Sequence, residues 1–468
     1  MFIEFSAENF RSIKGRVTLS MIAANLRSRD EQLDRNNVIY LSPKLSLLRS
    51  AVIYGANASG KSNILKAFHF MKDFVRDSAR QQDEDKIPVD PFHLETTTID
   101  QPSTFEAVFL LDGIQHRYGF SVMADRVAAE WLYYIPNSRE VELFTRDHDT
   151  LHIGHSFREG RGLKEFELDL RNKLLLSVIA GLKSGEKAKQ VRQWFVNGCS
   201  VLEADDDRGY YDFSVLLVAA GVHKEEVESL VRHLDLDINH LSLKQKLRPS
   251  LPEHLSGVRH KESFKGSAGR YTIPLDNGDE LDWELRTHHS VRDKDGKVVG
   301  EMIFDANTRE SEGTQKIIAL AGPLISSLIN GKVLFLDEID ARLHPVITAA
   351  IVRLFNSPET NPRNAQLICV THDTNLLDRH LFRRDQIYFV EKDSIAATHL
   401  YSLADFKLAG DSEKAKTVRN DASFEKNYIQ GRYGAIPFLG DIDEWFVEQL
   451  DKEIPDVEAE AARPVLLS

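Results

Sequence analysis

The chain has 468 residues, of which 42% are hydrophobic and 28% charged, and its formal net charge is −13. This composition excludes a disordered, collagen-like or disulfide-rich protein, and a negative chain would need a local basic patch to contact nucleic acid. The length allows two or three domains.

The two cysteines, Cys199 and Cys369, form no CxxC motif and fit a reducing compartment. No apolar run approaches the roughly 18 residues of a membrane span, and residues 1–5 do not resemble a secretion signal. We therefore expect a cytoplasmic protein.

Hydrophobic periodicity predicts alternating strands and helices in the first part of the chain. Residues 16–21 alternate apolar and polar side chains, as in a strand, and residues 25–37 indicate a polar loop. The apolar residues 47–54 predict a strand buried on both faces. Helical spacing follows over residues 63–75, and an Asp-Gly turn predicts a β-hairpin over 105–120.

The middle of the chain changes character. Helical spacing at 174–182, 188–195 and 225–234 predicts a helical insertion, and residues 240–270 are rich in Lys and Arg and predict a long basic loop. Core strands are predicted again at 333–336 and 367–370, separated from the insertion by a helical run at 317–329. These patterns predict four parts: an N-terminal lobe (1–170), a helical insertion with the basic loop (171–300), a C-terminal lobe (301–400) and a tail (401–468).

Residues 55–62, Gly-Ala-Asn-Ala-Ser-Gly-Lys-Ser, match GxxxxGK[ST] at every fixed position, between a predicted strand and a predicted helix. Such a loop directs backbone N–H groups at phosphate oxygens, and the amino end of the helix adds partial positive charge. Lysine reaches the β- and γ-phosphates of ATP, and the last hydroxyl binds Mg²⁺. The predicted nucleotide-binding residues here are Gly55, Asn57, Ser59, Gly60, Lys61 and Ser62.

A second motif places two carboxylates at the end of an apolar strand. Residues 333–336 are followed by Asp337 and Glu338, and the carboxyl ends of parallel strands are where open α/β sheets bind ligands. We assign Mg²⁺ binding to Asp337 together with Ser62, and the role of general base to Glu338.

Three further elements resemble those of ABC-type ATPases. Residues 310–316 resemble the signature turn, with Glu312 and Thr314 where glycines are usual. The resemblance implies that Ser311, Gly313 and Gln315 bind the γ-phosphate of a nucleotide held by a second subunit. His372, at the end of the strand over 367–370, resembles the switch histidine and is assigned a catalytic role. Residues 339–345 resemble the D-loop, with His344 where SMC-type ATPases usually carry Asp. The Q-loop glutamine stays open between Gln81, Gln82 and Gln101.

Together with Asn9-Phe10-Arg11-Ser12 and the tail segment 428–437, these motifs resemble the compact SMC/RecF-like ABC-type ATPases of bacterial phage-defence and abortive-infection operons. The ATPase subunits of PARIS and Septu systems are similar. The resemblance implies an α/β P-loop ATPase head with a mixed, largely parallel sheet and a helical insertion lobe. It also implies ATP and Mg²⁺ as cofactors, and a homodimer or higher homo-oligomer that joins through the ATP sites.

Three functional hypotheses follow. The first is an Mg²⁺-dependent ATPase that acts as a switch and controls a separate effector, a nuclease or toxin. The second is an ATPase with its own nuclease activity, for which Asp441 and Asp443 would supply a metal-binding DxD pair. The third is a RecF-like repair ATPase that contacts DNA through the basic residues 244–270.

Overall fold

The computed structural model describes residues 1–28, 30–160, 170–204, 207–234, 238–248, 270–274, 280–408, 416–417, 422–437, 442 and 445–447. The helices are α1 (Glu31–Asn37), α2 (Lys61–Asp77), α3 (Leu175–Gly181), α4 (Glu186–Gly198), α5 (Asp207–Ala219), α6 (Lys224–Leu234), α7 (Glu312–Asn330), α8 (Pro345–Asn356) and α9 (Phe424–Ile429). The strands up to the insertion are β1 (Phe2–Glu8), β2 (Val17–Ser20), β3 (Val38–Ser42), β4 (Leu45–Leu48), β5 (Ser50–Gly55), β6 (Ser103–Leu111), β7 (Ile114–Val122), β8 (Val127–Ile135), β9 (Val141–Asp147) and β10 (Thr150–Ile153). The later strands are β11 (Cys199–Leu202), β12 (His240–Arg248), β13 (Arg270–Pro274), β14 (Glu280–Arg292), β15 (Val298–Asp305), β16 (Val333–Leu336), β17 (Gln366–Val370), β18 (Ile387–Lys392), β19 (Thr398–Ser402), β20 (Lys407–Leu408) and β21 (Lys416–Thr417).

A six-stranded sheet in the order β11–β16–β17–β5–β18–β19 forms the centre of the fold. Its first five strands are parallel, and β19 is antiparallel to β18. Strand β5 is buried along its whole length, as its apolar sequence predicted. Ala51 and Ile53 belong to one hydrophobic core, and Val52 and Tyr54 belong to the other. Since successive side chains of a strand point to opposite faces, the sheet separates two cores.

The second large sheet has seven antiparallel strands in the order β10–β9–β8–β7–β6–β1–β2. Helix α2 lies between the two sheets. The ring of Phe68 is 5.2 Å from Phe5 of β1 and 4.2 Å from Phe335 of β16, and each such pair adds about 0.5–1.5 kcal/mol beyond its area burial. The predicted hairpin is confirmed as β6 and β7, with positive φ at both Asp112 and Gly113. The predicted mixed α/β class is therefore confirmed.

Residues 171–300, the predicted helical insertion, contain α3 to α6, the strand β11 of the central sheet and most of a separate antiparallel sheet. In that sheet β14 pairs with β12 on one side and with β13 and β15 on the other. The prediction of a loop over 240–270 is wrong at its start, because residues 240–248 form β12. Leu241 and Leu243 alternate there with polar residues, and Leu241 is buried. Residues 249–269 lie outside the described residues.

The predicted polar loop over 25–37 is also wrong in its second half, which forms helix α1. Asp30 caps this helix, since its side chain accepts a hydrogen bond from the backbone N–H of Gln32 at 2.9 Å. Leu33 is the apolar residue that the helix buries. One buried leucine in seven residues gives too little periodicity to distinguish a short helix from a loop.

The run over 47–54 forms two strands rather than one. The break falls at Arg49, whose backbone N–H donates to the carbonyl of Asn37 at 2.9 Å, so β4 pairs with β3 while β5 enters the central sheet. The helices predicted over 63–75 and 317–329 are confirmed as α2 and α7. Within the described part of the chain, no helix has both the length and the apolar character needed to cross a membrane.

Candidate functional site

Three neighbouring parallel strands carry the predicted motifs to one edge of the central sheet. Strand β5 leads into the loop over 55–62, β16 leads into Asp337 and Glu338, and β17 leads into His372. Since β16, β17 and β5 lie side by side and run in the same direction, their carboxyl ends meet. The structure thus brings residues that are more than 270 positions apart in sequence into one cluster.

The loop requires glycine at its last turn. Gly60 has φ of +105° and precedes α2, which has no side-chain cap at its amino end. A Cβ placed on Gly60 would lie 2.1 Å from the Oγ1 of Thr398 and 2.7 Å from the Oγ of Ser12. The N–H groups in the first turn of α2 therefore stay available for an anion.

Lys61 is buried in this loop. Its Nζ donates hydrogen bonds to the carbonyls of Gly55 and Ala56, both at 2.9 Å. Burial lowers the pKa of Lys61 to about 8, and the nearby Asp337 and Glu338 only partly oppose this shift. A lysine whose charge is incompletely compensated by carboxylates is suited to receive the negative charge of a polyphosphate.

Two hydroxyl residues brace the loop from outside the motif. The Oγ1 of Thr398, on β19, donates at 2.9 Å to the carbonyl of Ser59 and lies at hydrogen-bond distance, 2.7 Å, from the Oγ of Ser12. Asn63 donates to the same Ser12 hydroxyl at 2.7 Å. Thr398 belongs to none of the predicted motifs, whereas Ser12 lies in the Asn-Phe-Arg-Ser segment that the sequence singled out. These bonds join the strand edge, the first turn of α2 and the chain's beginning.

Asp337 has the surroundings of a cation ligand. It is 4% exposed, and its Oδ1 has no hydrogen-bond partner. Burial raises its pKa, the charge of Glu338 acts in the same direction, and a hydrogen bond with Ser62 opposes them. A buried carboxylate oxygen without a partner, beside a hydroxyl, is a donor set of the oxygen type that Mg²⁺ prefers. Ser62 and Asp337 therefore fit the predicted metal.

Glu338 and the following segment lie against the strand of His372. Glu338 has φ of +48°, a left-handed conformation that costs a non-glycine residue about 1–2 kcal/mol. Asp340 accepts hydrogen bonds from the backbone N–H of His372 at 3.3 Å through both carboxylate oxygens. The pKa of His372 is lowered, first by burial and then by the charge of Lys61. The imidazole is therefore neutral near pH 7, with one ring N–H that can donate a hydrogen bond and one lone pair that can accept one.

The predicted signature turn caps helix α7. The Oγ of Ser311 accepts a hydrogen bond from the backbone N–H of Thr314 at 3.1 Å. The side-chain amide of Gln315 donates to the carbonyls of Asn307 and Glu310 at 3.0 and 3.1 Å. Serine is a favoured residue at this capping position, and the turn it forms leaves a helix amino end at the surface.

The same turn packs on the segment after Glu338. A Cβ on Gly313 would lie 3.1 Å from the carbonyl oxygen of Arg342, and the Nε of Arg342 is 3.4 Å from a carboxylate oxygen of Glu312. Arg342 itself has φ of +64°. The signature turn and the predicted D-loop are therefore one packed unit within a single chain.

Glu310, immediately before Ser311, connects this unit to the insertion sheet. Its Oε1 accepts a hydrogen bond from the hydroxyl of Thr287 and lies 2.7 Å from the Nε2 of His289. The side chain of Glu310 is 9% exposed and Thr287 is fully buried. Both partners lie on β14. This contact could not be predicted from the sequence, because Thr287 and His289 are more than 20 positions from Glu310 and belong to no motif.

Helices α2 and α7 lie on opposite faces of the central sheet. Ile64 and Leu65 of α2 belong to the core shared with the seven-stranded sheet, whereas Ile317 and Leu320 of α7 belong to the other core. The amino ends of the two helices are the anion-binding ends. Within one chain, the loop over 55–62 and the signature turn thus lead into helices that pack on opposite faces of the sheet.

The tail segment packs behind β5. The ring of Tyr428 on α9 is 5.8 Å from Tyr54 and 5.3 Å from Phe389. The hydroxyl of Tyr54 donates to the carbonyl of Asp373 at 3.0 Å. The segment that begins at Tyr428 therefore supports the strands that lead to the loop and to His372.

Other predicted features stay open. Among the described residues, no hydrogen bond joins Gln81, Gln82 or Gln101 to residues 55–62 or to Asp337. Gln101 instead offers its backbone carbonyl to the side chain of Asn9 at 2.8 Å. Asp441 and Asp443 lie outside the described residues.

Comparison with solved structures finds several ATPase heads that share little sequence with this chain. The SMC head domain from Thermotoga maritima is 12% identical with a TM-score of 0.37, over 86% of this chain and 98% of that one. An Smc head derived from Pyrococcus furiosus, bound to the C-terminal domain of ScpA, is 12% identical with a TM-score of 0.36, over 86% and 96%. The recombination mediator protein RecF is 12% identical with a TM-score of 0.35, over 86% and 98%. These values are too low to carry a functional argument.

The two comparisons made with the sequence alone differ in outcome. Among curated protein sequences, none matches the chain. Residues 50–378, more than half of the chain, match the family model described as "AAA domain, putative AbiEii toxin, Type IV TA system". The matched region starts with β5 and includes the loop over 55–62, both carboxylates after β16 and His372. The chain therefore belongs to this AAA-domain family.

Proposed function

We propose that the protein binds ATP with Mg²⁺ and hydrolyses it. The observation that carries this proposal is the convergence of Lys61, Asp337 and Glu338 at neighbouring strand ends, with the Oδ1 of Asp337 buried and unpartnered. Lys61 would hold the β- and γ-phosphates, and Ser62 with Asp337 would hold the cation. A bound Mg²⁺ supplies charge neutralisation between the phosphates. Glu338 would take the proton of the attacking water, and His372 would donate a hydrogen bond to the γ-phosphate.

The catalytic unit in this proposal contains two copies of the chain. Because α2 and α7 lie on opposite faces of the sheet, we assign Ser311 to a nucleotide held by a second chain and not to the one held by Lys61 of its own chain. A second copy, arranged head to tail by a two-fold axis, would bring its signature turn to the first copy's phosphates. Each nucleotide would then be enclosed by the loop of one chain and the serine of the other.

We further propose that this ATP-dependent dimer controls a separate effector, a nuclease or toxin, in an anti-phage defence system. The description of the matching family includes a toxin and a toxin–antitoxin system, and the resemblance to phage-defence ATPases agrees with such a setting. ATP binding and hydrolysis would change the distance between the two chains. An effector that binds across both chains would respond to that change.

Mixing two inactive variants tests the shared site. Lys61→Ala removes the loop's cation, and Ser311→Ala removes the hydroxyl that the partner chain would supply. In an equal mixture, half of the dimers contain one of each, and each such dimer has one complete site. We expect each variant alone to be inactive and the mixture to recover about a quarter of the parental ATPase rate. Full activity of Ser311→Ala alone, or no recovery after mixing, would show that the sites are not shared.

A further inference from the structure

A cluster of two histidines and a glutamate lies on the insertion sheet, away from the nucleotide site. His240 of β12 is directly opposite His288 of β14 in the strand register, and Glu301 lies on β15, the next strand over. The potential ligand atoms of the three side chains all lie within 4.8 Å of one another. Three adjacent strands therefore each contribute one metal-ligating side chain to the same face of the sheet.

The distances within this cluster fit a metal ion. The Nδ1 of His288 is 2.9 Å from the Oε2 of Glu301, and the Nδ1 of His240 is 3.5 Å from its Oε1. Two ligand atoms bound to one metal ion at 2.0–2.1 Å, with a tetrahedral angle between them, would be roughly 3.3 Å apart. This separation falls between the two observed distances. The ring centroids of His240 and His288 are 3.7 Å apart. Both histidine–glutamate pairs are thus close to the spacing that a shared metal ion requires.

The other nitrogen of His288 has its own partner. Its Nε2 is 2.7 Å from the Oγ of Ser242, on the same face of β12. A histidine that ligates a metal through one nitrogen usually donates a hydrogen bond from the other, and this bond fixes the ring and its tautomer. With the proton on Nε2, His288 presents the lone pair of Nδ1 to the centre of the cluster. The ring is also held by burial, since its side chain is 8% exposed.

We propose that His240, His288 and Glu301 bind a first-row transition-metal dication of the Zn²⁺ kind. Two imidazoles and one carboxylate suit Zn²⁺ and chemically similar ions better than Mg²⁺ or Ca²⁺, which prefer oxygen ligands. His240 and Glu301 are nearly half-exposed, which leaves coordination positions for water. The site would connect β12, β14 and β15 and so stabilise the sheet whose β14 also holds Glu310.

Binding of Co²⁺ and Zn²⁺ to the nucleotide-free protein, in excess Mg²⁺, tests the proposal. We expect one Co²⁺ per chain with visible d–d absorption bands, and Zn²⁺ should displace it. His240→Ala and Glu301→Gln each remove a ligand and should weaken Zn²⁺ binding at least about 100-fold, whereas Ser242→Ala should weaken it about tenfold through the orienting bond. Because both ligand side chains are nearly half-exposed, their variants should melt at the parental temperature without metal.

His399→Ala is the matched control. The Nε2 of His399 is 3.0 Å from one carboxylate, that of Asp393, on the exposed surface. Removing it should leave the stoichiometry and affinity unchanged. Absence of saturable Co²⁺ binding by the parent would overturn the proposal. It would also be overturned if His240→Ala and Glu301→Gln bound Zn²⁺ as tightly as the parent, since the ion would then be held elsewhere.

Discussion

The lowered pKa of Lys61 predicts that ATP affinity depends on pH in a range where the phosphates do not titrate. Burial holds this pKa at about 8 in the nucleotide-free protein. In the complex, the phosphates would favour the protonated amine and raise the pKa again. Binding therefore takes up a proton wherever the free lysine is neutral. The affinity for ATP should be highest at pH values below the lowered pKa of Lys61 and should fall as the pH rises above it.

The magnitude follows from the proton equilibrium. At about one pH unit above its pKa, Lys61 is neutral in roughly ten molecules for each that is charged, which weakens apparent binding about tenfold, or about 1.4 kcal/mol. At about one unit below the pKa, the amine is almost fully protonated and the effect is negligible. His372 does not contribute in this range, because its pKa is lowered from an ordinary value of 6.5.

The measurement is a titration of the protein with a fluorescent ATP analogue at several pH values, with constant Mg²⁺ and ionic strength. Lys61→Arg is the control, because a guanidinium stays protonated over the whole range. Its dissociation constant should be independent of pH, whatever its absolute value. A parental dissociation constant that changes less than about twofold between pH 7 and pH 9 would refute the reasoning, since Lys61 would then keep its charge despite its burial.

Three further predictions concern the site and its supports. Glu338→Gln should retain ATP affinity but hydrolyse ATP at least about 100-fold more slowly, and light scattering should show that it accumulates as a dimer in ATP. The control is Glu359→Gln, at an exposed position. Equal hydrolysis rates for the two variants would contradict the role of Glu338 as general base. Gly60→Ala should lower the free energy of unfolding by about 2–5 kcal/mol in denaturant titrations, from backbone strain plus overpacking against Thr398. A Cβ added at Gly15 would have no neighbour within 4 Å, so Gly15→Ala should change the free energy of unfolding little. Glu310→Ala should lower the ATPase rate about tenfold or more and leave the affinity for ATP unchanged, because Glu310 would act only by positioning Ser311. A loss of ATP affinity would count against this role.

The position of the candidate site could be predicted because each motif is local in sequence. The strand before Gly55 and the strand before Asp337 are short, apolar and buried, as their sequences predicted, and their carboxyl ends remain predicted ligand-binding positions. The central sheet then brings them together. The catalytic roles of Lys61, Glu338 and His372 stay predictions that depend on these motifs.

The contacts that hold the site could not be predicted, because they depend on pairings between distant residues. The hydroxyls of Ser12 and Thr398 are 386 positions apart and meet only because β19 joins the central sheet beside β18. The insertion sheet was missed for a related reason. Its strands are rich in charged residues, and basic residues such as Lys244 favoured the prediction of a loop. In the structure, Lys244 of β12 lies opposite Glu284 of β14. Cross-strand pairing of opposite charges permits a strand where composition alone favours a loop.

The insertion sheet and the nucleotide site are joined through Glu310. The carboxylate of Glu310 is held by Thr287 and His289 on β14, and its backbone carbonyl accepts a hydrogen bond from Gln315 in the signature turn. Since Ser311 follows directly, a shift of β14 relative to α7 would move the serine that we propose contacts the second chain's nucleotide. The buried carboxylate cannot leave its partners without a desolvation cost. In the proposed dimer, this connection would link the insertion sheet to the serine that contacts the partner's nucleotide, so an event at the insertion sheet would affect the partner's nucleotide before its own.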